Sequence, residues 1–257
     1  MRIEALGIND SIAPGKGGMS LLLDETIALD AGAITDTLSL ERQKLIEYVV
    51  LSHAHFDHVK TLPFLADGLA MTYGVHADHP TTVMAPANVL TDLKKHVFNN
   101  VIWPDFTVIP PDNPVMAYQE VGESFELGNY QFRMIPLTHP IATYAIHIEG
   151  PAASVLYITD TGPTQMLWRY VNSLERPVDA MFIDVAFPNK LRELALVSGH
   201  LTPALLDDEL KKITVKVPLI YPIHMKSPYI TQISNELASV LEPDSYYILQ
   251  PMEIVEW

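Results

Sequence analysis

The sequence predicts an α/β protein built as one domain over residues 1–257. Three observations predict it. Short apolar runs, such as residues 48–51 and 180–183, read as buried strands and alternate with segments of helical spacing. His53, His139, Asp160, Asp184 and His224 each stand where such a strand runs out. Strand ends in a sheet lie along one edge, so residues far apart in sequence can converge there. Hydrophobic residues make up 48% of the 257, enough for one large core.

The elements follow in order. Pro14-Gly15-Lys16-Gly17-Gly18 is a loop by composition. Residues 19–23 and 26–29 read as a hairpin joined by Asp24-Glu25. Asp30-Ala31-Gly32 closes its second strand, and Asp30 serves either as a turn residue or as an acceptor behind a metal site. A helix is predicted over 38–46, then the strand at 48–51. A helix over 59–69 carries Pro63 in its first turns. Residues 70–75 read as a strand, and His76, Asp78 and His79 as a solvated loop beyond it. Residues 88–98 have helical spacing and leave through Asn99, Asn100, Trp103, Pro104 and Phe106. This aromatic exit suits either a cover over a site or a hydrophobic corner. Pro110, Pro111 and Pro114 mark an irregular connection within the domain. Further strands are predicted at 131–137, 144–148, 155–158, 180–183 and 219–223. Helices are predicted at 165–171, 203–213 and 230–241, with Thr202 capping the second and Pro203 at its first position.

Composition narrows the chemistry. The chain has no cysteine, so disulfides and thiolate ligands are excluded and a metal site must use nitrogen and oxygen. Sixteen basic residues against thirty-one acidic ones give a net charge of -15. A nucleic acid would be repelled at long range, and Lys94-Lys95 and Lys211-Lys212 read as solvated helix faces. The balance favours a small substrate. No apolar run approaches the ~20 residues of a membrane span, and the N-terminus lacks a signal-peptide core. A cytoplasmic location is expected.

The stretch Ser52-His53-Ala54-His55-Phe56-Asp57-His58 organises the rest. Three imidazoles and a carboxylate fall within six residues, directly after a buried strand. Histidine and aspartate are costly to bury unless paired or metal-bound. A loop leaving a strand can aim all four side chains at one point, and their donor atoms suit zinc, iron or manganese.

This run, with the later His139, Asp160 and His224, resembles the metallo-β-lactamase superfamily over nearly the whole chain. The resemblance implies a four-layer αββα sandwich with two divalent metal ions at a sheet edge, zinc first, with manganese or iron as alternatives. It places one metal on His53, His55 and His139, the other on Asp57, His58 and His224, and Asp160 between them. Two such ions lower the pKa of bound water and stabilise charge on the attacked centre. Asp57 in a cysteine-free set departs from β-lactamases that use a thiolate, which argues against antibiotic hydrolysis.

A narrower resemblance is to the class II cyclic-nucleotide phosphodiesterases and the related tRNase Z. It is carried by residues 98–106, 182–189, Ser198-Gly199-His200-Leu201-Thr202-Pro203 and Tyr221-Pro222-Ile223-His224-Met225-Lys226. No glycine- and lysine-rich arm for gripping tRNA is evident. The resemblance implies hydrolysis of a cyclic nucleotide or similar small phosphodiester by a metal-bound hydroxide, with Asp57 in the catalytic set. His200 would protonate the leaving alkoxide, with Asp184 holding its other nitrogen. Lys226, ahead of Lys190 and Arg192, is the expected phosphate contact, and Trp103 or Phe106 the base-stacking one. The alternative is a hydrolase of carboxylic esters, thioesters or lactones on the same metals. Helical content and aromatic surface permit a homodimer.

Overall fold

The computed structural model describes residues 1–10, 17–73, 80–216 and 218–257. Contacts group the chain into two compact units: residues 2–122 with 251–256, and residues 123–250 with Met1 and Trp257. Each unit is one mixed sheet with helices.

In the first unit the strands are β1 (Arg2–Gly7), β2 (Ser20–Leu23), β3 (Ile27–Leu29), β4 (Tyr48–Val50), β5 (Thr81–Ala85), β6 (Met116–Glu120) and the late strand β13 (Ile254–Glu256). Their order is β13-β1-β2-β3-β4-β5-β6. The expected hairpin is present as β2 and β3, but Leu23 pairs with Ile27, so the connection is the three residues Asp24, Glu25 and Thr26, with Asp24 and Glu25 both at positive φ (45° and 66°). From β3 onward pairing is parallel, so helical crossovers must intervene.

The helix expected over 38–46 is shorter, α2 (Leu40–Gln43), and a separate turn of helix that the sequence did not indicate, α1 (Ile34–Thr37), precedes it. Ser39 lies between them in extended conformation and its side chain accepts from the Arg42 amide, so it caps a helix instead of continuing one. The helix expected over 59–69 starts earlier, as α3 (Phe56–Val59) and α4 (Leu62–Tyr73), with Pro63 in the first turn of α4. Ala70–Tyr73 is therefore helical, against the strand expected over 70–75. Leu62, Leu65, Ala66 and Leu69 repeat at helical spacing with their side chains buried, and this carries the helix onward. The next strand is β5. Pro14-Gly15-Lys16, His76, Asp78 and His79 lie outside the described residues. The helix expected at 88–98 is α5 (Ala87–His96), which buries Val89, Leu90 and Leu93.

In the second unit β7 (Ser124–Leu127), β8 (Tyr130–Pro136), β9 (Tyr144–Glu149), β10 (Ser154–Ile158), β11 (Ala180–Asp184) and β12 (Leu219–Ile223) run in the order β12-β11-β10-β9-β8-β7. β7 to β10 form an antiparallel meander, whereas β10, β11 and β12 are parallel. The crossovers hold α6 (Met166–Ser173), then α7 (Arg192–Ser198) and α8 (Pro203–Leu210); α9 (Ile230–Val240) follows β12. Leu167, Trp168 and Val171 of α6, Leu205 and Leu206 of α8, and Ile233 and Leu237 of α9 fill one core with the apolar side chains of β10 and β11. Thr202 caps α8 as its sequence position predicts, its hydroxyl accepting from the Leu205 amide. The register pairs Ile158 with Ile183 and Asp184 with Ile223, so three parallel strands end level. Asp160, Asp184 and His224 sit at those carboxyl ends.

Candidate metal centre

The first unit gathers the histidine-rich loop. β4 ends at Val50, and the chain crosses to α3, whose N-cap position is His55. The His53 ring lies 4.8 Å from that of His55 and 4.1 Å from that of His58. Asp57 is in the first turn of α3, and His53 and His58 are fully buried.

Asp30 stands behind this loop and is fully buried. Its Oδ1 accepts from the Ser52 amide at 2.8 Å. Its Oδ2 accepts from the Ser52 hydroxyl at 2.7 Å and faces His58 Nδ1 at 2.8 Å. The hydroxyl of Ser52 also lies 2.9 Å from His53 Nδ1. A serine hydroxyl has one proton, and Asp30 takes it. Ser52 therefore accepts from His53, so Nδ1 of His53 carries the hydrogen and Nε2 the lone pair. A carboxylate can only accept, so the same holds for His58. Asp30 at φ 57° turns the chain so that Gly32 passes the loop closely. A Cβ on Gly32 would meet the Asp57 carbonyl oxygen at 1.9 Å, and only glycine fits. Backbone bonds from Met19 to the Asp57 carbonyl and from Ala31 to the His58 carbonyl fix the two segments together.

The second unit gathers His139, Asp160, Asp184, His200 and His224. One donor atom from each of the last four lies within 4.8 Å of the others, all buried. His139 Nε2 lies 3.7 Å from Asp160 Oδ2, and His224 Nε2 lies 3.5 Å from Asp160 Oδ1. Each distance is long for a hydrogen bond. Each is close to the ~3.4 Å that separates two tetrahedral ligand atoms about 2.1 Å from a shared ion. The two oxygens of Asp160 thus address two different imidazoles.

The other nitrogens of these rings are taken up by the scaffold. His139 Nδ1 is 2.9 Å from the Gly199 carbonyl, and His224 Nδ1 is 3.3 Å from Asp184 Oδ1. Asp184 Oδ2 accepts from the Leu201 amide at 3.0 Å and faces His200 Nδ1 at 3.2 Å. Burial alone would raise the Asp184 pKa, but the charge of His200 and bonds from His200 and His224 hold it below the ordinary carboxylate value. His200 is further boxed by rings: Phe187 and His139 edge-on at 5.6 and 5.3 Å, and His224 stacked at 5.2 Å.

His53, His58, His139 and His224 each turn Nδ1 to an oxygen acceptor of their own unit, which makes Nε2 the nitrogen suited to a metal. Each unit offers imidazole nitrogen and carboxylate oxygen, and the chain has no sulfur of cysteine, a donor type that fits zinc, manganese or iron. His147 is a contrast within the same fold. Both of its nitrogens are used, by Tyr170 Oη at 2.6 Å and Ser154 Oγ at 2.7 Å, so it offers no ligand atom.

The residues expected from the sequence to contact substrate are Lys226, Lys190, Arg192, Trp103 and Phe106. Lys226 follows His224 by two positions at the N-cap of a 3-10 turn, its amide on the Ala186 carbonyl. Lys190 Nζ lies 5.3 Å over the Tyr229 ring, which engages it elsewhere, and Arg192 opens α7. Trp103 is partly exposed, its ring edge-on to Phe64 at 5.2 Å, whereas Phe106 is buried. Sequence reasoning named no role for Ser52, Gly32 or Gly199. Their positions beside His53, Asp30 and His200 were the available signal.

With the geometry in place the class follows. The chain belongs to the β-lactamase superfamily domain family, which matches residues 30–225. It is a hydrolase of the metallo-β-lactamase superfamily and metal-dependent. A probable 3',5'-cyclic-nucleotide phosphodiesterase of Yersinia pestis is 26% identical, over 82% of this chain and 71% of the relative. Among solved structures, unliganded yeast PDE1 shares the fold with a TM-score of 0.82 at 16% identity, covering 98% of each chain. The metallo-β-lactamase fold protein YhfI of Bacillus subtilis has a TM-score of 0.76 at 12% identity, covering 99% of this chain and 98% of that one. The short form of human tRNase Z has a TM-score of 0.71 at 14% identity, covering 100% of this chain and 99% of that one.

Proposed function

We propose that the chain is a dinuclear metal-dependent phosphodiesterase acting on a cyclic nucleotide or similar small phosphodiester. The observation that carries the dinuclear part is Asp160, whose two oxygens face two different imidazoles at ligand–ligand distance. Residue by residue, His53, His55 and His139 would hold one ion and Asp57, His58 and His224 the other, with Asp160 shared. Zinc is our first choice, with manganese or iron as alternatives. The relative from Yersinia pestis supports the substrate class. A cytoplasmic location goes with such a substrate.

Bound cations would supply an acidified water and positive charge for the phosphoryl oxygens. The residues of the chain do the rest. Asp184 orients His200 through Nδ1 and balances positive charge on its ring. His200 Nε2 then gives its proton to the departing alkoxide, which is a poor leaving group without one. Asp57 assists at the reacting centre. Lys226 offsets charge on the phosphate, and the exposed part of Trp103 stacks on the base.

The test is turnover of cyclic AMP and of carboxylic esters by metal-loaded enzyme. Hydrolysis of the phosphodiester with no comparable ester activity is expected. Ester turnover alone would overturn the assignment.

A further inference from the structure

Asp160 stands in the irregular stretch between β10 and α6, residues 159–165. Where its two oxygens lie follows from where this stretch carries its backbone. Two anchors hold the stretch. The Gly162 amide donates to the Thr138 carbonyl at 2.8 Å, and Thr138 directly precedes His139. The second anchor is at Thr164, four residues beyond Asp160, and it comes from α8.

Glu209, in the last turn of α8, is a buried carboxylate. Its Oε2 accepts from the Thr164 amide at 3.0 Å and from Trp168 Nε1 at 2.6 Å. Its Oε1 pairs with Lys212 Nζ, which also donates to the Thr164 carbonyl at 3.0 Å. One ion pair thus takes both the amide and the carbonyl of Thr164, groups that an irregular stretch cannot satisfy in a sheet or helix ladder. The packing of α6 on α8 does not call for it. Apolar side chains of similar volume often replace a buried ion pair without loss of stability. What the pair adds is direction. The other end of α8 starts from its cap Thr202, directly after His200 and Leu201, and the Leu201 amide is held by Asp184. One helix of eight residues therefore ties the His200 loop to the Asp160 stretch.

We propose that Glu209 and Lys212 are positioning residues for Asp160. By fixing Thr164 they set the Asp160 carboxylate at its separations of 3.7 and 3.5 Å from the nitrogens of His139 and His224. The inference rests on the reading of Asp160 as a ligand shared by two ions.

Zinc affinity of the full chain, measured by competition with a chelator beside thermal melts of the metal-free protein, tests this. Glu209→Gln keeps an acceptor for Thr164 and Trp168 but loses the charge that holds Lys212. Lys212→Met loses the grip on the Thr164 carbonyl, and Lys212 is partly exposed, so its substitution disturbs the core least. Each is expected to weaken zinc binding about 10-fold, and Lys212→Arg, which can keep both contacts, to hold wild-type affinity. Ser154→Ala is the control. It removes a buried hydrogen bond to His147 Nε2 at the far end of β10, so it should lower the melting temperature and leave zinc affinity unchanged. Unchanged affinity in both Glu209→Gln and Lys212→Met, or an equal loss in Ser154→Ala, would overturn the proposal. The number of ions is a separate result. One zinc per wild-type chain would overturn the shared-ligand reading, while the affinity ratios would still decide whether Glu209 and Lys212 position Asp160 on the ion that remains.

Discussion

Asp184 Oδ2 stands 3.2 Å from Nδ1 of His200, while Oδ1 of the same carboxylate stands 3.3 Å from Nδ1 of His224. One fully buried carboxylate therefore orients both the proposed proton donor and a proposed metal ligand. If His200 serves the leaving group, its removal must matter most where that group is basic. His200→Ala should lose about 10²- to 10⁴-fold in kcat on cyclic AMP and far less on bis-p-nitrophenyl phosphate, whose leaving group needs no proton. Equal losses on both substrates, or none, would remove His200 from the chemistry.

Asp30 is expected to act through His58 and Ser52, not on substrate. Asp30→Asn replaces the acceptor that fixes the His58 tautomer and that takes the Ser52 proton. Zinc affinity, measured by competition with a chelator, should fall about 10- to 100-fold. Unchanged affinity would make Asp30 a turn residue only.

These supporting residues show how far the sequence could be read. The ligand-type residues were legible because each breaks an apolar strand at its end, and such residue types are rare there without a purpose. The parallel register of β10, β11 and β12 then explains why Asp160, Asp184 and His224 meet. Asp30 was readable only as one of two roles, since its partner His58 is 28 residues away. Ser52 and Gly199 were not readable, because their work lies in a hydroxyl proton and a backbone carbonyl, which leave no pattern in sequence. Local errors had local causes. Ser39 reads as a tolerable helix interior but its side chain caps α2. Residues 70–73 have strand-like composition, but the buried stripe of α4 overrides it.

Gly199 should tolerate no side chain. It sits at φ 70°, and a Cβ there would come within 2.9 Å of His139 Nδ1. Gly199→Ala is expected to lower stability by about 1–2 kcal/mol from backbone strain alone and to weaken metal retention through His139. Gly122→Ala, where a Cβ meets nothing within 4 Å, is the matched control. Thermal melts with and without zinc compare the two, and equal behaviour would contradict the role of the Gly199 carbonyl.

His147 gives the fold a titration of its own. Burial, with the nearby charge of Arg133, pushes its pKa down to about 4. An unfolded chain binds a proton there at about 6.5. Between those values the unfolded state takes up a proton that the native state does not, so stability falls as pH drops from about 6.5 to 4. The loss should reach roughly 3 kcal/mol, and it should be absent from His147→Gln. Urea unfolding at several pH values would show this. A wild type and a variant with parallel pH dependence would contradict it.

The central claim is that Asp160 lies between two cations. Metal analysis of purified protein after saturation with zinc and removal of excess tests it most directly. Two equivalents per chain are predicted for wild type, and at most one for Asp160→Ala. Saturation of the wild type at one equivalent, or two equivalents kept by Asp160→Ala, would contradict it.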